Sequence, residues 1–241
     1  MEHLSPTKQI YYSTVGSLYA FAYTSQRRTF LGIPRSGWLR LGIFALFVAA
    51  LIGRWGWVAV GLTVLLWLYV SFIYRRARRE DYNKFVVDET AVSPPPTVKP
   101  IAPNERTAVH ASGRYAVTGK ADTVLLQKPA HYWSVPLGDH IVMVEYRPKR
   151  FLYQFIAPRT LQKVQRGWIL FGKKPIPTLA ITFLEVWGQD ENSSLLYYVG
   201  GGPTDDLSHL KPRTIYFSFE DTAVLQQVWA TLILATENTE R

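Results

Sequence analysis

The chain has 241 residues, 48% of them hydrophobic, and a formal net charge of +9; this is enough for one membrane anchor and one folded domain of ordinary size. It contains no cysteine, which excludes disulfides, thiolate metal sites, cysteine nucleophiles and Cys-linked lipidation. The charge is uneven: residues 1–103 hold 12 Lys and Arg against 5 Asp and Glu, and residues 104–241 hold 15 against 13, so the basic excess flanks the apolar segments and nucleic acid is not the expected partner.

Residues 1–35 form an N-terminal cytoplasmic or interfacial segment. Within it, Gln9 to Gln26 carries no charge over 18 residues but is rich in Tyr, Ser and Thr. Ile10, Val15, Leu18, Tyr19 and Ala22 can share one helical face, and Ser5-Pro6 suits a helix start. The expected element is an interfacial or partner-binding helix, with a third span as the alternative.

Residues 36–74 read as a transmembrane hairpin. Trp55 to Tyr74 is uncharged over 20 residues and apolar around the helical circumference, about 30 Å at 1.5 Å per residue, the thickness of a hydrocarbon core. Ser36 to Gly53 spans if Arg40, one turn from its start, snorkels to the headgroups. Gly53-Arg54-Trp55-Gly56 supplies the turn. Arg54 alone marks the tip, whereas Arg27, Arg28, Arg35 and Arg40 precede the first span and Arg75, Arg76, Arg78 and Arg79 follow the second. The positive-inside bias therefore places both termini in the cytoplasm, with the plasma membrane as the expected location. Trp38 at one level, and Trp55 and Trp57 at the other, suit interfacial anchoring. The basic residues of 75–91 read as a stop-transfer flank, and a sharper reading makes them a patch for anionic lipid.

Residues 92–105 hold five prolines in 14 positions, a composition that forms neither a helix nor a central strand. As an extended spacer at about 3.1 Å per residue, the stretch could hold a domain up to roughly 40 Å from the last membrane residue.

Residues 106–237 change period, to short runs rich in Val, Ile, Leu, Tyr and Phe bounded by turn residues, the pattern of an antiparallel β domain. The expected strands are RYAVTG, TVLLQ, HIVMVEY, RFLYQFI, GWILFG, TLAITFLEVWG, SLLYYVGG and TIYFSF. After the last, Glu220 and Asp221 favour a helix start, and Val224, Leu225, Val228, Trp229, Leu232 and Ile233 form one apolar face. The fold class is therefore a membrane α-helical hairpin plus a mainly-β domain, a bent antiparallel sandwich or barrel capped by a C-terminal helix. The TIYFSF strand followed by a helix with a central Trp229 resembles the pleckstrin-homology superfold, in which such a helix plugs one end of a bent β sandwich and the Trp enters its core. Two spans followed by such a domain also resemble bacterial membrane proteins with pleckstrin-homology-like domains. Phosphoinositide-binding members carry several basic residues at the first hairpin, whereas TGKADT offers only Lys120 beside Asp122, so that recognition is not implied here.

The candidate binding face consists of Arg147, Lys149 and Arg150 in one hairpin and Lys173 and Lys174 after GWILFG, with Lys163 and Arg166 in a further expected loop; gathered on one edge, they would suit anionic lipid or an acidic partner. Solvated turn charges are the plainer explanation. No catalytic, metal or cofactor site is expected. His110, His131, His140 and His209 are dispersed without ligand or triad spacing, and Asp139-His140 and Asp205, Asp206 with His209 suit turns. Gly200 to Pro203 lacks the Lys that a phosphate loop requires, and the aromatics around Trp133 and Trp187 read as core or protein-binding surface. The expected function is a non-enzymatic, membrane-anchored adaptor or accessory subunit. Its partners are membrane lipids and another membrane protein or complex. An anionic-lipid-binding regulator is the alternative, and a membrane-bound enzyme of unknown chemistry the third.

Overall fold

The computed structural model describes residues 5–79, 84–117, 120–136, 138–185 and 211–237. The expected strand SLLYYVGG, together with Trp187, Gly200 to Pro203, Asp205, Asp206 and His209, lies outside them. The chain divides into a helical unit, Met1–Lys84 with Leu170–Pro175, and a sheet unit, Phe85–Ile169 with Ile176–Arg241.

The helical unit opens with α1, Pro6–Arg27, where Ser5 accepts the Lys8 backbone N–H and Pro6 occupies the first turn, the one place where its missing donor costs nothing. A two-stranded hairpin follows, β1 (Thr29–Phe30) with β2 (Ile33–Pro34). Its turn residues Leu31 and Gly32 both have positive φ, 51° and 76°, as a two-residue turn matched to strand twist requires. This hairpin was not expected from the sequence, which has only Gly32 to mark it. Then come α2, Arg35–Ile52, and α3, Trp57–Arg79. Both are long and apolar enough to cross a membrane; their 18 and 23 residues correspond to about 27 and 35 Å. The connection bends through Arg54 and Gly56, at φ 50° and 87°, and the Trp55 N–H returns to the Ala50 carbonyl.

Small residues let α1 approach α3. Tyr19 and Ala22 of α1 form a buried cluster with Tyr74 and Ala77 of α3, and the Ser25 hydroxyl meets the Tyr74 hydroxyl at 2.5 Å. Close backbone approach plus one shared hydrogen bond is how helices associate where hydrophobic drive is weak.

In the sheet unit, the described residues form eight strands in the order β3-β8-β9-β10-β4-β5-β6-β7. These are β3 (Phe85–Val87), β4 (Thr107–Val117), β5 (Lys120–Ser134), β6 (His140–Arg147), β7 (Arg150–Ile156), β8 (Leu161–Leu170), β9 (Pro175–Glu185) and β10 (Lys211–Ser218), followed by α4, Thr222–Glu237. Registered pairs, including β4 with both β5 and β10, are antiparallel. The first strand after the Pro-rich stretch thus pairs with the last.

One core joins sheet and helix. Tyr132, Val142, Val144, Ile156, Leu179, Ile181, Phe183, Ile215 and Phe217 pack with Leu225, Val228, Trp229 and Leu232 of α4, spaced at the helical period that the sequence displays. Asp221 caps α4 by accepting the Ala223 N–H.

Three features depart from the expected layout. β3 lies in the basic juxtamembrane stretch and pairs with β8, Val86 opposite Trp168, so the sheet unit begins before the prolines. The Pro-rich segment therefore runs within this unit, between β3 and β4. It is tied down where Ile101 enters the core and its N–H donates to the Thr231 hydroxyl of α4. Finally, β5 continues through Pro129 to Ser134, and β8 starts at Leu161, so that Lys163 and Arg166 lie on a strand.

Candidate interaction surfaces

In the helical unit, α2 and α3 leave most of their apolar side chains bare. The share buried is 11% along α2 and 6% along α3, and Leu41, Phe44, Leu62, Leu65, Leu68 and Phe72 are all exposed. Between the two helices runs a cleft of about 180 Å³ lined by Ile43, Phe44, Phe47, Thr63, Val64 and Trp67. Such a surface is unfavourable in water at roughly 25 cal/mol for every Å² and carries no such cost in hydrocarbon.

The residues expected at the membrane interface fall near the helix ends. Trp38, in the first turn of α2, donates its indole N–H to the Phe30 carbonyl at 2.9 Å and packs edge-on against the Phe30 ring. Trp55 and Trp57 are exposed at the α2–α3 connection. The Arg40 guanidinium lies 5.5 Å over the Tyr74 ring, which gives a cation next to an apolar helix a polarisable partner. Arg75, Arg76 and Arg78 are exposed at the end of α3, and the Arg79 side chain falls outside the described residues.

In the sheet unit, Arg147, Lys149 and Arg150 come together at the β6–β7 turn. Arg147 pairs with Arg150 across it. Pro148 presets the turn and Lys149 takes φ 59°, the arrangement of a tight turn with Pro at its second position and positive φ at its third. The Lys149 N–H donates to Glu145 Oε1 at 3.3 Å. Beyond the turn, β7 is the last strand in the order. Leu152, Gln154 and Ile156 point inward, and Phe151 and Tyr153 are 49% and 47% exposed.

The remaining expected cations are carried on other elements. Lys163 and Arg166 lie on β8, near the other end of the strand order, and Arg166 Nε is 3.8 Å from Asp88 Oδ2. Lys173 and Lys174 are exposed in the Leu170–Pro175 turn, which belongs to the helical unit. The β6–β7 hairpin is the group whose three cations the structure places in a single turn.

Two buried polar centres were not signalled by sequence. His140, 2% exposed, bonds through Nδ1 to the Tyr132 hydroxyl at 2.8 Å and stacks on that ring. Burial pushes its pKa down to about 4 and pushes that of Tyr132 upward. The carboxyl of the neighbouring Asp139 is raised by burial against the opposing pull of Arg159. The Asp139-His140 dipeptide thus puts its imidazole into the core.

The second centre is the Gln127 amide, which donates to the hydroxyls of Ser112 and Ser218; Ser218 in turn meets Thr178. Gln127 sits at φ 47°, where the β4–β5 register shifts, so a bulge turns a strand residue into the polar link among β4, β5, β9 and β10. In the sequence Gln127 only ends an apolar run, before Lys128 and Pro129, and nothing there marks it as a polar link, because its partners Ser112 and Ser218 lie on other strands. Among the described residues, no group of three or more His, Asp or Glu side chains could hold a metal ion.

Compared with known proteins, the chain matches no family model, no curated sequence and no solved structure. Its surfaces therefore carry the functional reading on their own.

Proposed function

We propose that the chain is a non-enzymatic, membrane-anchored adaptor or accessory subunit. In this reading α2 and α3 cross the membrane as a hairpin, and the sheet unit is a pleckstrin-homology-like domain that binds a protein partner or the membrane surface from the cytoplasmic side of the plasma membrane. The observation that carries it is the bare apolar surface of α2 and α3, which demands lipid or a partner helix as its environment. The arginines flanking the helices, set against Arg54 alone at the connection, support cytoplasmic termini.

Strand order supports the pleckstrin-homology likeness of the sheet unit. Leaving β3 aside, the strands follow β7-β6-β5-β4-β10-β9-β8, two meanders joined through the first and last strands. The helix that follows places Trp229 in the shared core.

Purification of the C-terminally tagged full chain from its native membranes in mild detergent tests the proposal. The expected result is retention in membranes through alkaline washing and co-purification of one membrane protein in fixed stoichiometry. Release by alkaline washing would overturn the anchor, and recovery of the chain alone would overturn the accessory-subunit role.

A further inference from the structure

We propose that the β6–β7 hairpin is a contact element for an anionic bilayer. The cations of Arg147, Lys149 and Arg150 bind lipid phosphates, and Phe151 and Tyr153 enter the interfacial layer. The inference rests on the membrane-anchored reading above and adds a specific second attachment point.

Charge concentration is the first argument. From residue 104 onward the chain carries 15 cations against 13 carboxylates, yet residues 147–150 hold three cations and no carboxylate. All four turn residues are exposed. The pairing of Arg147 with Arg150 keeps the cations within one tight turn, so each raises the local potential felt by the same patch of lipid. Glu145, the nearest carboxylate in the sequence, accepts the Lys149 N–H at the neck of the hairpin.

The second argument is where the unit shows its aromatics. Among the described residues of the sheet unit, the large aromatic side chains that stand exposed are Phe151 and Tyr153, two positions apart on the strand that leaves this turn. Their spacing puts both on the outer face. Half-buried Met143 stands opposite Tyr153 and Ile141 opposite Phe155, which continues the apolar strip away from the turn, whereas Glu145 stands opposite Phe151 and marks the polar, turn-side end of the strip.

An apolar strip rimmed at one end by cations matches the layering of a bilayer surface, with aromatic rings at the level of the headgroups and cations on the phosphates. Anionic lipid attracts about 1 kcal/mol per surface cation, so three cations shift the docked-to-free ratio on the order of 100-fold between anionic and neutral lipid.

Because the chain lacks cysteine, single cysteines place nitroxide labels without background. The full chain carrying Tyr153→Cys, labelled, is reconstituted into nanodiscs of phosphatidylcholine alone or mixed with phosphatidylglycerol. Power-saturation spectroscopy then compares accessibility to oxygen and to a water-soluble nickel chelate. The expected result is loss of nickel and gain of oxygen accessibility in the anionic discs only, reversed by Arg147→Glu, Lys149→Glu and Arg150→Glu together. A label equally open to nickel in both lipids overturns the inference. So does a label shielded in both lipids and in detergent, which would mean coverage by protein, as a bound peptide strand or second copy would give. A parallel label at Leu65→Cys, midway along α3, separates the two readings: failure of that label to enter the oxygen-rich zone means that the anchor itself is wrong.

Discussion

His140 shows how a residue type that invites a chemical reading can be made a core residue by its surroundings. Its ring is enclosed, bonded to Tyr132, and kept neutral by burial that lowers its pKa to about 4 from 6.5. The unfolded chain takes up the proton first, so stability is full above pH 6.5 and is lost as pH falls from there towards 4. At pH 5 the loss is on the order of 2 kcal/mol. Asp139, with its carboxyl raised, works in the opposite direction: the folded state takes up this proton first, so as pH falls through the raised pKa towards the ordinary carboxylate value stability is regained, which offsets part of the His140 loss in that window. Urea unfolding followed by near-UV circular dichroism across pH 7.5 to 4.5 measures this slope. His140→Gln is expected to abolish most of it; an unchanged slope would place the titrating group elsewhere. The sequence names His140 but not its burial, because the tyrosine that holds it is eight positions away on the neighbouring strand.

At the scale of elements, β3 is the case in which packing overrides a composition-based reading. Phe85 to Val87 is three residues long in a charged neighbourhood, too short to show a period. It forms because Gly167 on β8 leaves room. A Cβ there would run into the Val86 carbonyl oxygen and come within 2.7 Å of the Phe85 ring. Gly167→Ala is therefore expected to detach β3 at a cost of about 1–3 kcal/mol, without unfolding the remaining sheet. Hydrogen exchange read by mass spectrometry tests this: protection over Phe85 to Val87 should fall while that over β5 and β6 holds, and unchanged protection at β3 would contradict the steric account. By contrast, α4 is legible in full. Its cap at Asp221 and its apolar positions Leu225, Val228, Trp229 and Leu232 follow a local rule of capping and period. The same distinction separates the cation clusters. Arg147, Lys149 and Arg150 are neighbours in sequence and remain so in space, whereas Lys163 and Arg166, expected in a loop, are carried on a strand at the far side of the sheet order.

For the whole molecule, the proposed topology makes a direct prediction. With no native cysteine, Arg54→Cys at the α2–α3 connection and Ala102→Cys before β4 are expected to react with a membrane-impermeant maleimide from opposite sides of a sealed membrane. Arg54→Cys should label in intact cells and Ala102→Cys only after permeabilisation. Labelling of both from the same side would remove the hairpin. In the proposed topology the chain occupies two environments at once: hydrocarbon for α2 and α3, and water for a sheet unit whose charges nearly balance. Length, the two apolar runs, the uneven arginines and the closing amphipathic helix were determined by the sequence alone, since each depends on contiguous residues and a transfer free energy that needs no partner. Only the tertiary structure decided that the first strand of the meander closes on the last, that β3 and the Pro-rich segment belong to the sheet unit, and that Gln127 and His140 are internal links. Those outcomes depend on pairings between residues far apart in the chain, where backbone hydrogen bonds and close packing, not local period, select the arrangement.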